Sequence, residues 1–412
     1  MKPKHTIIIG AGLSGLACAN QLHQAGLRSL IVEASDAVGG RVRTDEIDGF
    51  LLDRGFQVFL SAYPTAGHLL DLGALELQRF KPGALVLKDA KLKRVMDVFR
   101  CPQYALGSAM APVGSLRDKL LVAKLRLHAL QNSLEEIASH PDITTEAFLR
   151  QFGFSDAMID GFFRSFYGGI FLERELQTSS RMFEFTFKMF TEGFATLPAG
   201  GMRAIPEQLA ARLPADSIRL HARVSSVESN TVSLESGESL EADHVVVATD
   251  ADAAAHLLPS LFERRKGWRS TANLYFSAEI SPLNEAIIAL NGTGTGLVNN
   301  VCVPSDVAPS YAPIGKSLVS VSVSGNPEPL DLEKRVRNEL QDWFGYEVHQ
   351  WQHLRTYHIP HSLPQQAPGS IVPSSGFLTH NGIYVCGDHC TTASIEGAIS
   401  SGLHTANAIR RS

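Results

Sequence analysis

The sequence predicts an α/β fold in which a parallel-sheet unit is interleaved with a second, α+β unit. Three observations carry this expectation. Residues 5–33 read as strand, glycine turn, helix and strand; residues 382–410 read as another strand running into a helix; and residues 216–248 supply short β runs between helical stretches. At 412 residues, and roughly 150 per domain, the chain holds two to three domains. No internal repeat and no linker rich in Pro, Gly or Ser separates them, so one domain is expected to be discontinuous. Its pieces are 1–60, 192–260 and 370–412, set against a second domain of 61–191 and 261–369 with a mainly helical part near 105–191.

The elements follow in order. Residues 5–9 are apolar, GAGLSG turns the chain, LACANQLHQAG has helical periodicity, and 29–33 is the next strand. Around 114–137, Leu116, Leu120, Leu121, Leu127 and Leu130 gather near one helical face with Lys and Arg on the other. Such a helix rests its apolar side either in the core or on a membrane surface. Phe183, Phe187, Phe190 and Phe194, at i, i+4, i+7 and i+11, predict a helix over 180–194, although the alternation Phe183, Phe185, Phe187 is also strand-like. SIRLHARVSSVES, NTVSLESG and DHVVVATD then build small sheets. The last segment is a strand over 382–386, a polar turn and a helix to residue 410.

Composition excludes several classes. Lys plus Arg is 37 and Asp plus Glu 42, a net charge of −5 on a chain only 19% charged, which argues against a nucleic-acid partner held through phosphates. With 44% apolar residues, 34 Gly and 20 Pro, the chain is neither disordered nor fibrous. Five scattered cysteines without a CxxC pair favour a reducing compartment, and the Ile run at 7–9 is too short for an export signal. No stretch of about 18 apolar residues spans a bilayer. The expected location is the cytoplasm, with a peripheral membrane contact left open.

Gly10, Gly12 and Gly15 form GxGxxG between a strand and a helix, and Glu33 follows 18 residues after Gly15 at the end of the next strand. This is the Rossmann-type dinucleotide fingerprint. Gly10 allows the tight turn, Gly12 lets backbone approach a pyrophosphate, Gly15 lets helix and strand pack, and the helix N-terminus faces the phosphates. After Glu33 come Gly39-Gly40-Arg41-Val42-Arg43-Thr44 and then DGFLLDRGFQVF, with Asp53 and Gly55. Together these motifs resemble the superfamily of flavin-containing amine oxidases, carotenoid (phytoene) desaturases and protoporphyrinogen oxidases.

That resemblance implies a Rossmann-type FAD-binding domain interleaved with an α+β substrate domain, and FAD bound non-covalently. It places Arg41 on the pyrophosphate, where bidentate charge pairing suits a guanidinium, with Gly40 and Arg43 close to the flavin. It recurs in FATLPAGGMRAIPEQLA, ARVSSVES and the final Gly387-Asp388. By it, Val224 meets adenine through its backbone, Gly200, Gly201 and Met202 lie by the isoalloxazine, and Asp388 holds the ribityl chain. Ile395, Glu396, Gly397 and Ala398 then open the last helix, whose positive end would stabilise charge on a reduced flavin. Cys386, His389 and Cys390 supply only three potential ligands where structural zinc usually takes four, so no metal is expected there.

The substrate side is read from three further features. Nine of 21 phenylalanines fall within 162–194, namely Phe162, Phe163, Phe166, Phe171, Phe183, Phe185, Phe187, Phe190 and Phe194; they read equally as an apolar substrate chamber or as a helical core. Amine oxidases of the superfamily carry a lysine in the stretch corresponding to 267–277, and GWRSTANLYFS has none. RTYHIPHSLPQQAPG resembles instead the stretch of desaturases and protoporphyrinogen oxidases, and brings Tyr357, His358 and His361 forward as catalytic candidates, either histidine as proton acceptor. The expected reaction is hydride transfer from a C–H bond of a hydrophobic substrate, isoprenoid or cyclic, to flavin N5, with oxygen or a quinone taking the electrons. The alternatives are an amine or amino-acid oxidase, and a non-enzymatic binder resembling the GDP dissociation inhibitors.

Overall fold

The computed structural model describes residues 5–259, 267–370, 376–380 and 382–412. At its centre is a six-stranded sheet in the order Ile218–Arg219, Arg28–Val32, His5–Ile9, His244–Val247, Ile383–Val385, Leu378–His380. The first five are parallel and the sixth is an antiparallel edge. Buried parallel strands need apolar side chains on both faces. Ile7 and Ile9 point with Val245, Val247 and Val385 toward Val227, Val232 and Leu234 of a small three-stranded sheet, whereas Ile8, Ile31 and Val246 meet the helices on the other side.

Those helices are Leu13–Gln24 and Ile395–Arg411, which lie against one another. Their contact is close because Gly402 has no side chain: a Cβ there would sit 2.1 Å from the Ser14 carbonyl oxygen. The first and last helices therefore pack together on one face of the sheet.

A second, seven-stranded mixed sheet runs Gln352–Pro364, Trp268–Ala278, Ser317–Ser324, Val298–Cys302, Ile288–Asn291, Gly83–Lys88, Lys91–Met96. Helix Leu332–Phe344 covers one face through Leu332, Val336 and Leu340. Over the other lies a group of helices between residues 105 and 192, with a π-helical turn at Ile159–Phe163 leading into Arg164–Phe171.

The helix expected over 114–137 is two helices, Leu116–Gln131 and Leu134–Ser139. Each starts at a capping box. Ser115 exchanges hydrogen bonds with Asp118, and Ser133 with Glu136, satisfying amides that the preceding turn leaves free. The segment around Phe183–Phe187 is helical, within Ser180–Glu192, so the period of 3.6 prevails over the alternation.

Helix Leu116–Gln131 is turned so that Leu125 and Ala129 face the core. Leu116, Leu120, Leu127 and Leu130 are instead exposed, by 69%, 73%, 54% and 49%. Its leucine stripe points away from the protein.

Candidate functional site

A single cavity of 1560 Å³ runs from the first glycine turn to the phenylalanine-rich helices. Ligand pockets usually hold about 300–1,000 Å³, so this one has room for a cofactor and a substrate end to end.

The glycine turn forms one end. Gly10 has φ +106°, and a Cβ would lie 2.8 Å from the Ala248 carbonyl oxygen, so a side chain is excluded both by backbone conformation and by space. A Cβ on Gly15 would lie 2.1 Å from the Gly10 oxygen, which keeps the helix against the turn. Gly12 faces open space, where a phosphate group could approach its backbone. Glu33 ends the second strand with one carboxylate oxygen accepting from Ala11 N–H at 2.7 Å and the other from Ser35 N–H and Oγ at 2.8 Å. Its charge is thereby fixed beside the glycine turn.

Arg41 and Asp388, 347 residues apart, pair across the cavity at 2.7 Å. Burial pushes the Asp388 carboxyl up, but the neighbouring guanidinium more than offsets this and holds it below the ordinary carboxylate range. Arg41 also lies 5.7 Å from the centre of the Trp268 ring, on which His361 stacks at 5.1 Å. Leu13 and Ser14 from one helix start, and Ser394, Ile395 and Ala398 from another, line the same wall. Two positive helix ends and one arginine thus face a concave, glycine-lined surface, a donor set suited to a pyrophosphate. Val224, at the start of Val224–Glu228, lines the cavity beside Glu33 and Ala222. These residues fit FAD.

Not all of the expected cofactor residues reach the cavity. Of that set, Gly10, Gly12, Glu33, Gly39, Gly40, Arg41, Gly55, Val224, Gly387, Asp388, Ile395 and Ala398 line it, while Gly15, Arg43, Gly201 and Met202 do not. Arg43 turns to Asp36 at 2.8 Å. Gly201 and Met202 are drawn behind the wall, because Met202 N–H donates to Asp53 at 3.0 Å and Arg203 N–H to Thr44 Oγ1 at 2.9 Å.

Asp53 organises that layer. It is 3% exposed and accepts hydrogen bonds from Thr44 Oγ1, Met202 N–H and Tyr311 OH, while its own carbonyl accepts from Tyr275 OH. Burial raises its carboxyl to about 6 despite those donors.

Among the catalytic candidates, His361 lines the cavity, and Tyr357 and His358 do not. His361, Ser362 and Leu363 line the cavity where the pairing with Trp268–Ala278 becomes irregular, although the His361 side chain stays 55% exposed; the Ile359 side chain lies against Gly55, and the exposed His358 is off the wall. The Tyr357 hydroxyl donates to Asp45 at 2.7 Å, which also holds Arg54.

At the far end the phenylalanines divide. Phe162, Phe163, Phe166, Phe187, Phe190 and Phe194 line the cavity, while Phe171, Phe183 and Phe185 are buried behind it, so the cluster divides between cavity wall and core. The opposing sheet contributes a polar group that sequence reading missed: Thr271, Asn299, Asn300, Ser322 and Ser324. Asn300 is 4% exposed and its Oδ1 has no hydrogen-bond partner among the described residues. The signal was present as two asparagines within the apolar run VNNVC, which forms the fully buried strand Val298–Cys302.

A family model for flavin containing amine oxidoreductase matches residues 13–410. The chain belongs to that family. Membership implies a flavin, consistent with the fit above. Phytoene dehydrogenase of Streptomyces griseus is 27% identical over 287 residues, covering 62% of this chain and 56% of that protein. L-amino acid oxidase Bs29 of Bothriechis schlegelii is 25% identical over 289 residues, covering 62% and 54%. The chain thus spans about half the length of these curated relatives. The structure of putrescine oxidase bound to putrescine matches with a TM-score of 0.72 at 18% identity, covering 100% of this chain and 99% of that one, which establishes a shared fold.

Proposed function

We propose that this protein is an FAD-dependent oxidoreductase that takes hydride from a C–H bond of a hydrophobic small molecule, isoprenoid or cyclic, and passes the electrons to oxygen or a quinone. The observation that carries the reading is continuity: one cavity joins the cofactor cradle to an aromatic chamber. Bound non-covalently, FAD would supply the hydride acceptor at N5. The chain's own residues orient and exclude water. Glu33, Arg41 and Asp388 hold the cofactor end, and Phe162, Phe166, Phe187 and Phe190 surround the substrate end. His361, stacked on Trp268, is the candidate proton acceptor that remains on the wall.

What the chamber lacks supports the reading of an apolar substrate. Strand Trp268–Ala278 carries no lysine. The lysines on the cavity wall, Lys81 and Lys119, are engaged by Glu285 and by the Ala109 and Ala111 carbonyls. A second reading, an amine or amino-acid oxidase, draws support from the Thr271–Asn300–Ser322 group, which offers a polar anchor inside the chamber. A cofactor-free binder has no use for the cradle.

The leucine stripe supplies an access route. At 100° per residue, Leu116, Leu120, Ala123, Leu127 and Leu130 fall within about 80° of arc. Arg117 and Lys124 border one edge, Lys119 and Arg126 the other, and the helix's one acid, Asp118, is buried. Exposed Phe99, Leu106 and Met110 extend the surface. Phe99, Leu116 and Leu120 also line the cavity, so the apolar surface and the mouth are continuous. An apolar face rimmed by cations suits an anionic bilayer, from which the substrate would enter directly.

The test is the flavin spectrum. Purified protein is mixed without oxygen with soluble amines and amino acids and, separately, with isoprenoids or porphyrinogens in liposomes. Bleaching of the flavin bands only by a membrane-dissolved compound supports the proposal. Bleaching by an amine establishes the second reading, and protein without flavin overturns both.

A further inference from the structure

Away from the cavity wall, His128, His140 and Glu184 converge from three segments: the last turn of Leu116–Gln131, the C-terminal end of Leu134–Ser139, and helix Ser180–Glu192. His128 Nε2 is 2.8 Å and His140 Nδ1 2.9 Å from the same Glu184 carboxylate oxygen. Glu184 is 3% exposed, and its other oxygen, Oε1, has no hydrogen-bond partner among the described residues. The nearby cations are committed elsewhere: Lys188 to the Ala129 carbonyl and Glu192, and Arg181 to the His140 carbonyl. Among the described residues, the two imidazoles are the only groups within hydrogen-bond distance of this buried carboxylate.

We propose that His128, His140 and Glu184 form a site for a divalent transition-metal ion, zinc by preference. Two imidazoles and a carboxylate are borderline ligands, which favours zinc over calcium or magnesium. The ligand atoms all lie within 4.8 Å of one another. Bonds of about 2.0–2.1 Å in a tetrahedron place ligands about 3.3 Å apart, so the two histidine–carboxylate distances of 2.8 and 2.9 Å widen by roughly half an ångström while the widest ligand pair draws in to admit the ion. The imidazoles are 31% and 24% exposed, leaving an outer side where water completes the coordination.

The ion would staple the two helices that wall the chamber, since Leu120 and Arg126 of one and Phe187 and Phe190 of the other line the cavity. This inference does not rest on the proposed reaction.

The experiment uses tag-free, flavin-loaded protein stripped of metal, dialysed against buffered free zinc or cobalt, with bound metal counted by elemental analysis. The wild type is expected to hold one equivalent per chain and to melt about 3 °C higher at a hundredfold excess over Kd. His140→Ala and Glu184→Gln are expected to fall below about a fifth of an equivalent at unchanged flavin content, and Cys101→Ser to retain the full equivalent. His140 lies at a helix end and is not fully buried, so its variant keeps the test open should Glu184→Gln misfold. No stoichiometric binding at 10 µM free zinc, on the order of a weak protein site, or binding that survives both ligand variants, overturns the site.

Discussion

Replacing Asp53 with Asn removes a buried carboxyl while keeping its shape. In the native protein that carboxyl titrates near 6, against an ordinary value of 3.8, because burial disfavours its charge more than three hydrogen-bond donors favour it. The shift of 6 − 3.8 = 2.2 units corresponds to about 3 kcal/mol at 1.36 kcal/mol per unit. The sign follows from linkage: the folded state binds the proton more tightly, so this group's contribution is fully present below pH 3.8 and is lost as pH rises through about 6. About 2 kcal/mol of the loss falls between pH 4.5 and 7.5. With an unfolding entropy of about 2.1 cal/mol/K per residue over 412 residues, that is about 2 °C in Tm. Asp53→Asn has no such titration, and the other groups cancel in the comparison. The Tm of the variant minus that of the wild type should therefore grow by about 2 °C from pH 4.5 to pH 7.5, read by thermal melts of flavin-loaded protein. A gap that stays constant or narrows would refute the reasoning and place the Asp53 charge in better company than its surroundings indicate.

Three further outcomes are expected. Arg41→Ala removes the guanidinium that faces the cofactor end and leaves Asp388 without its charge partner; flavin content per chain should fall at least tenfold and stability by about 2–3 kcal/mol, discounted for an arginine whose side chain is 35% exposed, as measured by flavin absorbance and denaturant titration. Gly15→Ala drives a methyl into the Gly10 carbonyl and should yield protein without bound flavin, whereas a spectrum like that of the wild type would mean the turn yields more readily than its 2.1 Å approach implies. Leu116→Glu, Leu120→Glu and Leu127→Glu together should reduce sedimentation with phosphatidylserine-containing liposomes about a hundredfold, at roughly 1 kcal/mol per leucine withdrawn from lipid, with the Tm nearly unchanged because the leucines are exposed.

What was legible in the sequence was what neighbouring residues impose on each other. GxGxxG between a strand and a helix can do little but turn tightly, so Gly10, Gly15 and Glu33 could be placed from their spacing alone. The capping boxes that divide 114–137 were equally readable, as Ser-x-x-Asp at 115 and Ser-x-x-Glu at 133, yet the leucine periodicity running through both drew one helix across them. Contacts between distant segments were not legible. Nothing near Met202 announces that Asp53, 149 residues earlier, will pull its amide behind the cavity wall. Nor does anything near His358 show that it will miss the cavity wall while His361 reaches it, because the pairing with Trp268–Ala278 and its irregularity between Ile359 and Leu363 depend on the partner strand.

The leucine stripe shows the limit most clearly. Periodicity says that a helix has an apolar face; which side the rest of the molecule covers is decided by residues far away in the chain. Here Asp118, bound by the Ser155 backbone amide and hydroxyl at 2.8 Å, fixes the helix rotation by anchoring its polar side inward. A carboxylate buried by four hydrogen bonds, its value lowered to about 2 even though burial pushes it up, holds that orientation, and the leucines are left outside as a consequence. Asp118→Ala therefore separates two explanations of the exposed stripe. If the stripe serves a membrane, loosening the anchor lets the helix roll its leucines inward and weakens liposome binding. If liposome binding is unaffected by both Asp118→Ala and the triple leucine variant, the outward stripe has another purpose and the route from bilayer to cavity is wrong.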